Sequence, residues 1–295
     1  MLYLKRRVIA TLIAICLSVT LESCYAMQDT FVLWQLPSQT GGQMNSYVMQ
    51  TVNGKVIVID GGFADDAPYL RGFLGALGNK VDIWFISHQH EDHINALTAI
   101  LKNTGDLKID KIYGSMLDEQ WIKVHEQDSL KTATDFNEAL QKAQKQITEL
   151  TLGQIIEIDG MTIEILSIKN PEIIDNGINN SSVVMRVWDS QKSVLFTGDL
   201  GVEGGKKLLN SEYKKDLKSD YVQMAHHGQN GVDKDFYQAC NPSYCFWPTP
   251  KWLWDNDNGG GEGSGPWVTL EVRAWMDEFG VEKHYCLFDG LQKIN

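Results

Sequence analysis

Ser87-His88-Gln89-His90-Glu91-Asp92-His93 sets three imidazoles and two carboxylates, Asp92 being the candidate ligand, within six consecutive residues of a chain that has seven histidines in all. A solvated polar turn does not concentrate histidine in this way. The stretch follows Ile83-Trp84-Phe85-Ile86, a continuous apolar run of the kind that forms a sheet strand buried on both faces. It then opens onto helical-looking sequence. A loop between a strand end and a helix start lets His88 and His90 point one way while Asp92 and His93 point another. Two adjacent cation positions follow from that division, and imidazole with carboxylate suits zinc or a similar borderline ion.

Working outward, short β-rich runs occupy both halves of the chain. Phe31–Leu36, Ser46–Val52 and Lys55–Asp60 read as strands, and Asn53-Gly54 between the last two is a hairpin signal. In the second half 162–168, 182–188, 193–197 and 220–225 read the same way. Helices lie between them. One is expected over Pro68–Leu77. A second is expected over 128–150, where Phe136, Leu140, Ala143, Ile147 and Leu150 recur at a spacing of three to four and form a core-facing stripe. A third spans Thr269–Phe279, stopped by Gly280. Asn256–Gly265, rich in glycine and flanked by Trp252, Trp254 and Trp267, reads as a loop inside one domain, because only about 30 residues follow it. Strands and helices alternate in each half, the pattern of two sheets with helices outside them.

Three more stretches carry chemistry. Ile57-Val58-Ile59-Asp60-Gly61-Gly62 ends a strand on a carboxylate. Phe196-Thr197-Gly198-Asp199 ends another strand with a glycine that frees the backbone to turn and aim the carboxylate. Ala225-His226-His227-Gly228 ends the next. Taken with the histidine stretch, these resemble the motifs of the metallo-β-lactamase superfamily, whose signature is His-x-His-x-Asp-His. The resemblance extends along most of the chain beyond residue 26.

It implies an α/β fold, a four-layer αβ/βα sandwich in a single domain over residues 28–295, with the cleft at the edge between the sheets. It implies metal ligation by His88, His90, Asp92, His93 and Asp199, with Asp199 bridging two ions and Asp60 supporting the metal loop from behind the ligands. One histidine of the His226-His227 pair binds the second ion. His226, the first residue beyond the strand, is favoured, leaving His227 to orient substrate or donate a proton. Asp92, His227 and Asn180 are the candidate catalytic residues.

One motif departs from the family. Most members place a further histidine between the cluster and the bridging aspartate. Here the only candidate, His125, sits early in helical-looking sequence, and the expected place reads Gly177-Ile178-Asn179-Asn180-Ser181-Ser182. That order of motifs is similar to the hydrolase domain of ComEC-like competence proteins. The first site is thereby expected to have three protein ligands, His88, His90 and Asp199, and to hold its ion less tightly than the second. Asn180 and Ser181 are expected to meet substrate where the histidine is absent. Lys251, Trp252 and Trp254 are candidates to wall the cleft.

The chemistry so implied is metal-assisted hydrolysis, with two zinc ions (manganese being the alternative) and a metal-bound hydroxide as nucleophile. A phosphodiester, a nucleotide or another phosphate ester, is the expected substrate. A lactone, thioester or β-lactam hydrolase is the runner-up, and an exported metal-binding protein without turnover is the reading from a different class.

Charge bounds the partners. The chain carries 38 acidic against 26 basic residues, a formal net charge of −12. Its first 26 residues hold Lys5, Arg6, Arg7 and Glu22, a net +2, so the remainder stands near −14. An acidic surface repels a polyanion at long range and offers no cationic track, so a small or short phosphodiester is expected and stable nucleic-acid binding is not.

The amino terminus reads as an export signal over residues 1–26. Lys5-Arg6-Arg7 precedes an apolar stretch from Val8 to Leu21, shorter than a membrane-spanning helix needs, with small residues around Ala26. This places the protein in the periplasm, cell envelope or medium. A lipid anchor at Cys24 is the competing reading of the same segment. Cys240, Cys245 and Cys286 remain beyond it and read as structural thiols, their spacing lacking the partners of a zinc finger.

Overall fold

The computed structural model describes residues 30–295, so the export signal and Cys24 lie outside the described residues. The strands in chain order are β1 (Val32–Gln35), β2 (Ser46–Gln50), β3 (Val56–Asp60), β4 (Lys80–Phe85), β5 (Lys108–Gly114), β6 (Ile147–Glu149) and β7 (Ile155–Ile158), then β8 (Met161–Ser167), β9 (Val184–Trp188), β10 (Ser193–Phe196), β11 (Tyr221–Gln223), β12 (Tyr244–Trp247), β13 (Lys283–Cys286) and β14 (Gln292–Ile294). They form two seven-stranded sheets, ordered β14-β1-β2-β3-β4-β5-β6 and β13-β12-β11-β10-β9-β8-β7.

The hydrophobic pattern explains why there are two sheets and two helical layers. In β3, Val56 and Val58 face helices, while Ile57 and Ile59 face the other sheet, and all four are buried. Such a strand is apolar on both faces because it has no solvent face. Ile57, Ile59 and Phe85 of the first sheet meet Ile163, Met185, Val194 and Phe196 of the second in one core. Outside the first sheet, helices Ala67–Ala76, Glu91–Lys102 and Leu130–Lys142 cover Trp84 and Ile112. Outside the second, Val202–Leu209, Lys234–Cys240 and Thr269–Phe279 cover Val222, Cys245 and Trp247. The architecture is the expected αβ/βα sandwich. A buried polar stitch joins its sheets: the Gln35 amide donates to the carbonyls of Trp247 and Tyr285, and Tyr47 Oη donates to Gln35 Oε1 at 3.0 Å.

Parallel pairing decides where the site falls. β3, β4 and β5 run parallel, as do β10, β11, β12 and β13. Their carboxyl ends therefore lie together, and Asp60, Ser87, Thr197 and Met224 are the residues at or just beyond those ends. A crevice outside the carboxyl ends of parallel strands is the general place for a site in α/β proteins.

Two expectations are corrected. The helix read over 128–150 ends at Lys142, and Ile147–Glu149 is strand β6, paired parallel with β5. Gln144 takes a left-handed conformation, φ 54°, and Lys145 N–H donates back to Leu140 O, so the chain reverses out of the helix. Ile147 continued the stripe's spacing by coincidence of period. The Asn53-Gly54 hairpin forms, but around a three-residue loop: Thr51 N–H donates to Lys55 O at 2.9 Å and Gly54 holds φ 83°. Cys240, Cys245 and Cys286 are buried free thiols, Cys245 Sγ lying 3.6 Å from Met276 Sδ.

Asp189, in the turn after β9, ties the start of the described chain to the second sheet. Its carboxylate accepts from the N–H groups of Phe31 (3.0 Å), Gln191 (2.8 Å) and Lys192 (2.9 Å). Burial pushes its pKa up, but these donors, the Thr30 hydroxyl and the Lys192 ammonium outweigh burial and leave it below the usual carboxylate value. A depressed folded pKa contributes stability that is present above the unfolded value and lost as pH falls through the folded one. Asp189→Asn should therefore cost about 1.5–3 kcal/mol near neutral pH. In denaturant titrations the deficit should shrink below pH ~4, where the wild-type carboxylate also protonates. A deficit that is constant with pH would show that the charge contributes nothing there.

Candidate metal centre

Asp60 holds the histidine loop in place. Its side chain is fully buried and sits at φ 56°. Oδ1 accepts from Ser87 N–H at 2.7 Å. Oδ2 accepts from Ser87 Oγ at 2.7 Å, Asn45 Nδ2 at 2.8 Å and His93 Nδ1 at 2.8 Å. A carboxylate bound to His93 Nδ1 requires the proton on that nitrogen and leaves Nε2 with its lone pair facing the cleft. Ser87 Oγ, donating to Asp60, can in turn accept from His88 Nδ1 at 3.0 Å, which turns His88 Nε2 inward as well. Asp92 lies in the first turn of helix Glu91–Lys102, where the helix dipole favours a negative charge.

The second sheet supplies the opposite wall. Gly198 has φ 54°, and a Cβ there would lie 2.8 Å from Ser182 Oγ and 3.0 Å from Ser87 Cβ. Glycine is needed both for the conformation and for the close approach of the two sheets. Gln223, buried on β11, clamps the turn: Oε1 accepts from the N–H groups of Thr197 and Gly198 at 2.8 Å, and Nε2 donates to Gly198 O at 2.9 Å. Asp199 N–H donates to Ser182 Oγ at 3.0 Å, so its carboxylate projects into the cleft.

The result is one tight donor group. Asp92, His93, Asp199 and His227 each present a ligand atom, all within 4.8 Å of one another and all buried. His227 Nε2 lies 2.9 Å from Asp92 Oδ2 and 3.2 Å from Asp199 Oδ2, and His93 Nε2 lies 3.2 Å from Asp199 Oδ1. His93 Nε2, His227 Nε2 and Asp199 Oδ1 have no hydrogen-bond partner although buried. Buried polar atoms are rarely left so. Three of them facing one point is the arrangement that a cation satisfies, and the donor set is one that zinc and its neighbours accept. Without a cation, protons take its place. Burial opposes charge on His93 and His227, but the carboxylates of Asp199 and Asp92 outweigh it, holding His93 well above the usual histidine value and His227 at about 10. The carboxyl of Asp199 is correspondingly held well below its usual range.

His88 and His90 lie beside this group. His88 Nε2 is 3.9 Å from Asp199 Oδ2 and 3.2 Å from His90 Nδ1. Burial, with His93 nearby, lowers the His88 pKa well below the ordinary value, which keeps a lone pair available.

Two sequence-level assignments are corrected by position. His227, not His226, joins Asp92, His93 and Asp199. Its Nδ1 donates to Pro248 O at 2.8 Å, which aims Nε2 at the group. It is thus a ligand candidate and not a free proton donor. His226 Nε2 stands farther out, 3.9 Å from Asp199 Oδ2. Asn180 does not face the cleft: Oδ1 accepts from Gly204 N–H at 2.8 Å and Nδ2 donates to Asp175 O at 3.0 Å, so it fastens helix Val202–Leu209. A histidine put at 180 would not reach a cation. Asn179 faces the site instead, its Nδ2 at 3.4 Å from His226 Nε2. Among the candidate wall residues, Trp254 packs against Trp247 and Phe288, Lys251 pairs with Asp255, and Trp252 is partly exposed and donates to Gly41 O. His125 stacks beside Trp121.

Ser87, Ser182, Gln223, Asn45 and Glu126 also belong to the site's support and were not singled out in the sequence. Ser87 and Ser182 adjoin motif residues and could have been suspected. Glu126, whose Oε2 lies 3.7 Å from His90 Nε2, comes from a helix end more than thirty residues away.

Asp60→Asn should weaken cation binding by roughly 10–100-fold, because an amide cannot accept all four donors and loses control of the His93 tautomer. Zinc competition against a chromophoric chelator measures this; unchanged affinity would remove Asp60 from the site's support.

Comparison with known proteins agrees with this geometry. Residues 39–144 match the model of the metallo-beta-lactamase superfamily. Over 175 residues the chain is 26% identical to the ComE operon protein 3 of Bacillus subtilis, a match covering 58% of this chain and 20% of that protein, so the chain spans about a fifth of its length. Among solved structures, the metallo-beta-lactamase fold protein YhfI from Bacillus subtilis aligns with a TM-score of 0.55 at 13% identity, over 90% of this chain and all of that one. CmlA, a diiron beta-hydroxylase from Streptomyces venezuelae, aligns with a TM-score of 0.53 at 12% identity, over 91% of this chain and 55% of that one. At these identities the likeness is one of fold.

Proposed function

We propose that this chain, which carries a metallo-β-lactamase superfamily domain with an Asp/His metal-binding group, is an exported hydrolase of small or short phosphodiesters. The observation behind the hydrolase reading is the convergence of Asp92, His93, Asp199 and His227, with three of their buried atoms unpartnered. His88 and His90 extend the group to a second position beside Asp199. Zinc suits the donors best, with manganese as the alternative. When bound, a pair of such cations acidifies a water at neutral pH and withdraws charge from the oxygens of the scissile group.

The chain's own residues do the rest. Asp199 faces both sets of imidazoles: Oδ1 lies 3.2 Å from His93 Nε2, and Oδ2 lies 3.2 Å from His227 Nε2 and 3.9 Å from the Nε2 atoms of His88 and His226. Asn179 presents a buried amide beside His226. Gln43 reaches Asp92 Oδ2 at 3.4 Å and accepts from Gln229 at 3.3 Å across the cleft. Neutral amides donate to phosphoryl oxygens without adding charge. In a protein of net charge −12, an anionic substrate is then held by cations and amides at one point, not along a basic track. That supports a small or short phosphodiester over a long nucleic acid. The similarity to the ComE operon protein 3 supports the relationship seen in the order of the motifs, within the segment that the two share.

The export reading rests on residues 1–26, as does the alternative of a lipid anchor at Cys24. In the described residues no helix is long and apolar enough to cross a membrane.

The protein loaded with zinc or manganese should hydrolyse bis-p-nitrophenyl phosphate. Asp199→Ala, which removes a donor from both positions, should lower kcat/KM at least a hundredfold, about 2.7 kcal/mol. Hydrolysis of a lactone or thioester in preference to the phosphodiester would overturn the substrate class. Cation uptake without turnover on any of these would overturn the enzyme reading.

A further inference from the structure

We infer that His226 completes the first cation position, taking the place of the histidine that the chain lacks between its histidine cluster and Asp199. The inference rests on the metal-centre reading above and goes beyond it in naming this ligand.

Geometry is the first ground. Donors sharing one tetrahedral cation at ~2.0–2.2 Å lie about 3.4 Å apart. Around the first position, His88 Nε2 is 3.2 Å from His90 Nδ1 and 3.9 Å from Asp199 Oδ2, and His226 Nε2 is also 3.9 Å from Asp199 Oδ2. These separations are within about half an ångström of what one ion needs. Asp199 Oδ2 is the atom that His88 and His226 both approach.

The tautomer is the second. His226 Nδ1 lies 3.2 Å from Asn230 O, and a carbonyl only accepts, so Nδ1 carries the proton. Nε2 is left with its lone pair, 3.4 Å from Asn179 Nδ2 and 3.9 Å from Asp199 Oδ2. This is the same device that turns His227 inward through Pro248 O and His93 inward through Asp60. A residue serving as proton donor to substrate would have no need of a fixed lone pair on that side.

Backbone strain is the third. His226 has φ 49° and His227 has φ 57°. Two successive non-glycine residues in the left-handed region are uncommon, and such strain persists where surrounding structure enforces it. Here His226 N–H donates to Gly198 O at 3.1 Å, tying the turn to the one that carries Asp199. In an extended strand, neighbouring side chains point to opposite faces. The left-handed pair sends both imidazoles to Asp199 Oδ2, His227 to 3.2 Å from the buried side and His226 to 3.9 Å from the more exposed side.

The fourth ground lies opposite. Asn179 Oδ1 is buried without a partner, and its Nδ2 is the group that contacts His226 Nε2. Glu126 faces His90 Nε2, a contact that turns Nδ1 toward His88, and its Oε1 accepts from Ile178 N–H at 2.8 Å on the segment bearing Asn179. The segment that lacks the family histidine is thus tied to the ligand His90 and meets His226 through Asn179.

Cation stoichiometry and affinity test this without reference to turnover. Competition of zinc between the protein and a chromophoric chelator, with metal content read by mass spectrometry, should give two ions for the wild type. His226→Ala should weaken one of them by at least about tenfold, since losing even an outer partner of a ligand costs that much, and leave the other within about twofold. His90→Ala should weaken the same ion, and the double variant should lose little beyond either single change. His226→Gln, which keeps the bulk, should behave as His226→Ala if the latter folds poorly; thermal melts of the apo proteins identify that case. Two ions of unchanged affinity in His226→Gln would overturn the inference. So would a wild type that binds one ion, with His226→Ala indifferent to it, while leaving the metal centre intact. A wild type that binds none would instead overturn the metal-centre reading itself.

Discussion

A buried carboxylate with four donors on it holds this structure's chemistry together. Asp60 sits where β3 ends, and its two oxygens receive Ser87 N–H, Ser87 Oγ, Asn45 Nδ2 and His93 Nδ1. Its own carbonyl accepts from Trp84 Nε1 at 2.7 Å, so strand end, strand neighbour and histidine loop are locked as one piece. An unpaired buried carboxylate would be costly, and this one is saturated. The consequence reaches the cleft. Once Asp60 fixes the proton on His93 Nδ1 and Ser87 orients His88, the opposite nitrogens can only face inward, where Asp199 waits on the second sheet.

That opposition depends on the sheets lying close at one edge, which in turn depends on sequence of a different kind. Gly198 lies where a Cβ would collide with Ser182 and Ser87, so the two motif loops approach to backbone distance. Gln223 and Ser182 then hold the turn from behind. The site is assembled at the carboxyl ends of two parallel strand groups, and each wall is rigid before the walls meet. Preorganisation of this kind is what lets buried donors keep their spacing in the absence of the group they serve.

The same division explains what was legible in the sequence. Strands β1 to β4 and β8 to β11 were, because they carry continuous or alternating apolar runs that end in turn or motif residues, whereas the short edge strands β6, β7 and β14 and strands β5 and β12 were not; the four stretches that carry His88 to His93, Asp60, Asp199 and the His226-His227 pair were legible too. Signals of local period failed where tertiary pairing overrode them. Ile147 and Leu150 keep helical spacing with Phe136 and Leu140, yet a left-handed Gln144 ends the helix and β5 claims Ile147. The order of His226 and His227 was misjudged because it was argued from an extended strand running into a loop. Two left-handed residues are not foreseeable from their side chains, and the carbonyls of Pro248 and Asn230 that select each tautomer come from the backbone, which leaves no residue signature. Asn179 and Asn180 are adjacent and chemically identical, and only the short turn at Gly177–Asn180 decides that one faces the cleft and the other helix Val202–Leu209.

The two cation positions are also unequal in their surroundings, and this bears on how they would work. Asp92, His93, Asp199 and His227 are all buried, whereas His90 and His226 keep 23% and 18% of their side chains exposed. Solvent reaches the group from the side of the exposed pair. The buried set would hold a cation away from solvent, and His90 and His226 would hold one on the solvent side, where an incoming group would meet it. The left-handed turn that carries His226 costs backbone energy of order 1–3 kcal/mol per strained residue. A fold that retains such a cost at the mouth of its cleft, and ties it by hydrogen bonds to Gly198 and Asn230, is holding His226 against Asp199 on the solvent side.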